Sequence, residues 1–118
     1  MSESTSPTTG RLSIERDDRP PIVVTALHGD VDLATAPAMR AALDDALADA
    51  PPVLVLDLSG VQFMASVGLT ALVVLARDIP DGTELRIVAS GRATLRPIQL
   101  TGLEQTLPLY PTIEAALA

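Results

Sequence analysis

The sequence predicts an α/β fold, a mixed β-sheet of about five strands covered by about four helices. Two observations carry this reading. Apolar residues recur first with a period of two and then with a period near 3.6, and the changeovers fall at proline, glycine and aspartate clusters. In addition, Val53-Leu54-Val55-Leu56 is an uninterrupted apolar run of strand length, as a central strand covered on both faces requires. Residues 1–10 read as a flexible leader and residues 11–118 as a single domain.

The elements follow in order. Leu12 and Ile14, then Ile22 to His28, read as two strands divided by the turn cluster Asp17-Asp18-Arg19-Pro20-Pro21. The pair can form a hairpin, which makes the sheet mixed. From Thr35 to Ala50 the period is helical: Met39, Leu43, Ala46, Leu47 and Ala50 share one side, with Arg40, Asp44, Asp45 and Asp49 on the other. Thr35 is expected to cap this helix, Pro37 is tolerated in its first turn, and Pro51-Pro52 stops it. The central strand is expected to end at Asp57, with Ser59 to Ala65 as a loop. A second helix is expected over 67–79, ended by Pro80-Asp81-Gly82. Leu85, Ile87 and Ala89 alternate with Glu84 and Arg86 as a further strand. Arg92 to Leu100 reads as a helix stopped by Gly102, with Pro97 either kinking it or marking its true start. Leu107 to Tyr110 is a short strand, and Thr112 to Leu117 is a last helix.

Composition removes much chemistry. Apolar residues are 47% of the 118 and charged residues 19%, the balance of a globular chain. Fifteen acids against eight bases give a net charge of −7. Phosphate backbones and anionic lipid repel such a chain, so neither nucleic acid nor membrane is expected as a direct partner. All eight bases are arginine, which excludes P-loop, Schiff-base and receiver lysines. The absence of cysteine excludes disulfides and thiolate chemistry, and the single histidine, His28, excludes a His-based metal cluster. Phe63 and Tyr110 are the only aromatics, too few for base-stacking platforms. Leu58 to Ala76 carries no charge over nineteen residues, but Ser59, Gly60, Gln62, Ser66, Gly68 and Thr70 interrupt it. It reads as buried interior rather than a membrane span. The first ten residues lack the apolar run of a signal peptide, so a cytoplasmic location is expected.

Ser66 is the most informative candidate. It stands where a loop meets an apolar helix, so its plain role is an N-cap worth ~1 kcal/mol. The sharper role is phosphorylation, because a helix N-terminus stabilises a phosphate through its dipole and free N–H groups. In the helix that follows, Leu69, Leu72, Val73 and Ala76 share one face. Val67, Thr70, Ala71 and Val74 make the opposite face, which is also mostly apolar. Either both faces are buried within the domain or the second one meets a partner. Asp57 is read as a loop stabiliser that accepts backbone N–H bonds. Asp30 and Asp32 are read as turn and helix-start residues, with a metal pair completed by Asp57 as the weaker alternative. No base for a serine nucleophile is evident, and no cofactor, metal or catalytic residue is assigned.

Three segments together resemble the STAS domain, shared by sulfate transporters and anti-sigma factor antagonists. They are Gly29-Asp30-Val31-Asp32-Leu33-Ala34-Thr35-Ala36, Leu54-Val55-Leu56-Asp57-Leu58-Ser59-Gly60-Val61 and Phe63-Met64-Ala65-Ser66-Val67-Gly68-Leu69. The tail, with Thr101-Gly102-Leu103 and Tyr110 to Leu117, is similar to the family as well. The resemblance runs from about Leu12 to the end and implies a stand-alone anti-sigma factor antagonist, not an enzyme. It further implies a partner switch: the unphosphorylated protein binds an anti-sigma factor that is also a serine kinase, phosphorylation of the aligned Ser66 breaks the complex, and a phosphatase resets it. The partner-binding set is then Asp30, Asp32, Ala65, Ser66, Val67, Thr70 and Val74, with a homodimer left open. The chain departs from the common Asp-Ser-Ser-Gly pattern, having Ala65 and Val67 where the acid and the second serine stand. Ala65 favours the competing reading, a constitutive adaptor subunit of a transport ATPase or stress-signalling assembly without a phospho-switch.

Overall fold

The computed structural model describes residues 11–118. The expected leader over residues 1–10 lies outside the described residues. The five strands are β1 (Leu12–Arg19), β2 (Ile22–Val31), β3 (Val53–Met64), β4 (Glu84–Val88) and β5 (Leu109–Tyr110). The helices are α1 (Ala36–Ala48), α2 (Ser66–Asp78), α3 (Leu95–Leu100) and α4 (Ile113–Leu117), with a 3-10 turn at Leu103–Gln105. The sheet runs in the order β1-β2-β3-β4-β5, with β1 antiparallel to β2 and the remaining pairs parallel. The expected mixed α/β sheet, with β3 at its centre, is the architecture found.

Alternation along the strands divides the core in two. Leu12, Ile14, Leu27, Leu54, Leu56 and Ile87 pack against Met39, Leu43, Leu72 and Ile98 from α1, α2 and α3. On the other face Val24, Val55 and Val88 meet Ala116 of α4 in a smaller cluster. Val53–Leu56 is therefore covered on both sides, as its unbroken apolar run requires. Among the described residues no helix is long and apolar enough to cross a membrane. The uncharged 58–76 stretch is divided between β3 and α2.

Several boundaries differ from the sequence reading, each for a local reason. β1 continues through Asp17-Asp18-Arg19, leaving only Pro20-Pro21 as the turn. Its charges pair along the strand, Arg16 Nε with Asp18 at 2.7 Å and Arg19 Nε with Asp17 at 2.7 Å, a pattern suited to an exposed edge strand. β3 continues past Asp57 to Met64, so Ser59 to Met64 is strand rather than loop. Its pairing with β2 steps from Ala26↔Asp57 to His28↔Gly60 and from Gly29↔Val61 to Asp30↔Phe63, so β3 carries one extra residue in each interval. These are two β-bulges, and they turn Val61 and Met64 inward while Phe63 faces out. In α1, Ala50 lies beyond the helix and is exposed, while Ala36, Met39, Leu43 and Ala46 form the buried side. Pro97 stands in the first turn of α3, where a missing N–H leaves no gap. Gly102 follows α3 at φ 74°, the left-handed conformation expected of a helix stop.

Candidate functional site

The parallel strands β2, β3 and β4 all end on one edge of the sheet, the edge where open α/β sheets carry their sites. β3 hands over to α2 through Ala65, whose N–H donates to the Val31 carbonyl at the end of β2 (2.8 Å). The Ala65 carbonyl then accepts from Gly68 N at 2.9 Å and Leu69 N at 3.3 Å. Ala65, at φ −78° and ψ 168°, is the N-cap of α2, and Ser66 is its first helical residue. The expected cap by Ser66 is therefore corrected: backbone pairing of Ala65 with β2 fixes the helix start one residue earlier. Ser66 is exposed, and its hydroxyl makes no hydrogen bond among the described residues. Its carbonyl accepts from the Thr70 hydroxyl at 3.1 Å.

Gly68 explains how close the helix sits. A Cβ built there falls 2.3 Å from Met64 Sδ and 2.8 Å from Val31 Cγ1. Only glycine lets the first turn of α2 rest on the ends of β2 and β3, and this contact fixes where Ser66 emerges.

Asp30 and Asp32 build the neighbouring loop. The Asp30 carboxylate lies 3.1 Å from Arg11 Nε, and its N–H donates to the Arg11 carbonyl at 3.0 Å. Asp32 Oδ1 accepts from Ala34 N and Thr35 N, both at 3.0 Å. Thr35 was expected to cap α1 with its hydroxyl. Instead, that hydroxyl donates to the Asp30 carbonyl at 2.8 Å and accepts from Asp32 N at 2.9 Å. Asp32 supplies the acceptor at the helix start, and the loop so fastened holds Leu33 81% exposed.

Leu33, Ala36 and Pro37 of this loop and α1 face Val67, Thr70 and Val74 of α2 across an open groove of about 300 Å³. Val67 and Val74 are half-buried and Thr70 is exposed, so the second apolar face of α2 is only partly covered within the domain. Ala65 and Ser66 stand at its end. The residues singled out around Ser66 thus meet on one edge. Leu33 and the 52% exposed Phe63 belong to the same edge and were not singled out. Their signal in the sequence is slight, a leucine and a phenylalanine at positions where solvent-facing residues are usually polar.

Asp57 does not join Asp30 and Asp32. Its partner on β2 is Ala26, four residues before Asp30, a separation of about 13 Å along the strand. Its carboxylate accepts from Ser59 N at 2.9 Å and from the Ser59 hydroxyl, tying down the first bulge of β3. The weaker reading of a metal site built from these three aspartates is corrected by that spacing. Among the described residues no group of three or more metal-ligating side chains is assembled. His28 Nε2 contacts Glu15 Oε1 at 3.1 Å, and its ring packs so tightly on Gly60 that a Cβ there would fall 2.2 Å from Nδ1.

The family model for the STAS domain matches residues 13–116. The chain is 40% identical over 106 residues to the anti-sigma-F factor antagonist RsfB of Mycobacterium tuberculosis, covering 90% of this chain and 87% of RsfB. It is 31% identical over 120 residues to the anti-sigma-F factor antagonist RsfA of the same organism, covering 97% and 91%. The crystal structure of an anti-sigma factor antagonist from Mycobacterium paratuberculosis superposes with a TM-score of 0.85 at 43% identity, covering 90% of this chain and 91% of that one.

Proposed function

The chain belongs to the STAS-domain family of anti-sigma factor antagonists, and from that premise we propose that it binds an anti-sigma factor with serine-kinase activity and is released when Ser66 is phosphorylated. The observation that carries the proposal is the place of Ser66: first residue of α2, exposed, its hydroxyl unengaged among the described residues, at the end of the Leu33–Val74 groove. The unphosphorylated partner contacts are Ala65, Ser66, Val67, Thr70 and Val74, with Asp30 and Asp32 at the rim.

Physical chemistry supports both halves of the switch. A phosphate on Ser66 is compatible with the free protein, because the N–H groups of Ser66 and Val67 have no carbonyl partner among the described residues and the helix dipole favours an anion there. In a complex the same phosphate brings about −1.5 to −2 charge to a chain already at −7. Burying it beside Val67 and Val74 requires stripping its water, which costs several kcal/mol. Each ~1.4 kcal/mol is a factor of ten in affinity, so a single phosphate suffices to open the complex. A phosphatase would then restore the binding form.

Ala65 supports a second reading. Where the family commonly has an acid, this chain presents a methyl group to an approaching kinase, and a constitutive adaptor in a larger assembly needs no phosphoacceptor. Capture from host lysate with wild-type and Ser66→Asp baits separates the two. A kinase-like anti-sigma factor retained by wild type and lost with the aspartate supports the switch. Equal retention by both baits, or capture of an ATPase in its place, supports the adaptor.

A further inference from the structure

The edge around Ser66 carries a second groove, which shares no lining residue with the first. Gln62, Phe63, Met64, Arg92, Ala93 and Pro97 line an open groove of about 370 Å³ between the end of β3 and the start of α3. Phe63, one of two aromatics in the chain, is 52% exposed there. Leu100, three residues beyond Pro97 and so on an adjoining face of α3, is 73% exposed.

Charge sets this groove apart. Arg11, Arg16, Arg19, Arg40, Arg77 and Arg86 each lie within ion-pairing distance of a carboxylate. Arg92 and Arg96 do not, among the described residues, and both are exposed. In a chain of net charge −7, Arg92 in the groove lining beside the exposed Phe63, with Arg96 four residues further along the chain and neither paired with a carboxylate among the described residues, forms a local positive and apolar spot. Aromatic and arginine side chains are the types that interfaces favour as anchors.

We propose that the Phe63–Arg92 groove is a second docking point for the anti-sigma factor, taking an acidic segment of that partner that also carries an apolar side chain. Arg92 meets the carboxylates, Phe63 and Pro97 cover the apolar group, and the groove continues the Ser66 edge through Met64 and Ala65. The inference rests on the reading that the anti-sigma factor docks at that edge. Because Arg92 lies outside the phosphorylation site, this contact contributes affinity and partner choice rather than the switch itself.

The test is calorimetric titration of the anti-sigma factor retained by the wild-type bait into wild type, Arg92→Glu, Phe63→Ala, Thr70→Asp and Arg77→Glu, at low and high salt. The thermal midpoint of each variant is measured alongside. The expected result is that Arg92→Glu and Phe63→Ala each weaken binding at least about tenfold with unchanged midpoints. Arg92→Glu should also flatten the salt dependence, while Arg77→Glu, at the far end of α2, binds like wild type. Wild-type affinity in Arg92→Glu and Phe63→Ala, with binding lost in Thr70→Asp, overturns the second docking point and leaves the first groove standing. Failure of wild type itself to bind any anti-sigma factor overturns the functional reading and this inference with it. A sedimentation-detected dimer that Arg92→Glu dissociates, with partner affinity unchanged, assigns the groove to a second copy of the chain and overturns the proposal as well.

Discussion

Replacing Gly68 with alanine opposes two effects of known sign. Alanine is the better helix former by ~1 kcal/mol in a helix interior, so on propensity alone Gly68→Ala stabilises α2. The structure predicts the reverse. The added methyl falls 2.3 Å from Met64 Sδ and 2.8 Å from Val31 Cγ1, well inside van der Waals contact. Val31 is fully buried at 0% exposure and Met64 nearly so at 6%, so Val31 has no free space to move into and the Met64 thioether can shift only toward the open groove beside Phe63. The Val31 methyl belongs to a β-branched side chain with one preferred rotamer. Overpacking of this kind costs ~1–3 kcal/mol, and with two buried neighbours the upper part of that range applies. Net of the helix gain, the expected loss is ~1–2 kcal/mol, or about 4–8 °C in thermal midpoint for a domain of this size. Urea denaturation and calorimetry measure it directly. The cost of Met64→Ala should also be smaller in the Gly68→Ala background than in wild type, because the thioether is what the new methyl meets. A Gly68→Ala protein at least as stable as wild type would refute the close seating of α2 on which the position of Ser66 depends.

Other predictions follow from single contacts. Ser66→Ala should change unfolding free energy by less than ~0.5 kcal/mol, because the helix is capped by the backbone of Ala65; a loss near ~1 kcal/mol would return Ser66 to the capping role. Asp32→Ala should destabilise by ~1–2 kcal/mol through loss of the acceptor for Ala34 N and Thr35 N, while Asp32→Asn keeps most of it; equal losses in urea titrations would contradict this geometry. Thr25→Val should stabilise by ~1 kcal/mol, since the buried Thr25 hydroxyl has no hydrogen-bond partner among the described residues and Val has the same shape; a destabilised variant would reveal a partner. The Arg86 hydrogen bond, reinforced by its charge, holds the Glu84 carboxyl below its usual range. A depressed folded-state value contributes stability that is complete above the unfolded value and fades as pH falls through the folded one. Carbon-detected NMR titration should therefore show Glu84 titrating low in wild type and at the ordinary carboxylate range in Arg86→Gln.

The fold was largely legible because its signals were local. The change of hydrophobic period located α1, α2 and the strands, and the Val53–Leu56 run identified the central strand from its need for cover on both faces. What escaped depended on pairing at a distance. Ser59-Gly60 and Gln62 read as loop, since polar and glycine residues weaken a strand pattern. They form strand because β2 is there to pair with them and two bulges absorb the mismatch. The helix start was misplaced by one residue for a related reason. Capping rules look for a side-chain oxygen, whereas Ala65 is fixed by a backbone bond to Val31. The edge was legible at Ser66, Val67, Thr70 and Val74, all on one helix with a clear period. Leu33, Phe63 and Arg92 come from three separated segments that only the parallel sheet brings to one side, and no spacing rule links them.

The proposed switch turns on Ser66, and phosphotransfer to that residue is its most direct test. The purified chain is incubated with the anti-sigma factor retained by the wild-type bait and with magnesium ATP, and intact mass and complex formation are followed together. The expected result is a mass gain of one phosphate in wild type, none in Ser66→Ala, and dissociation of the wild-type complex in step with the gain. A complex that stays together in ATP with no phosphate on Ser66 would contradict the switch and leave a constitutive adaptor in its place.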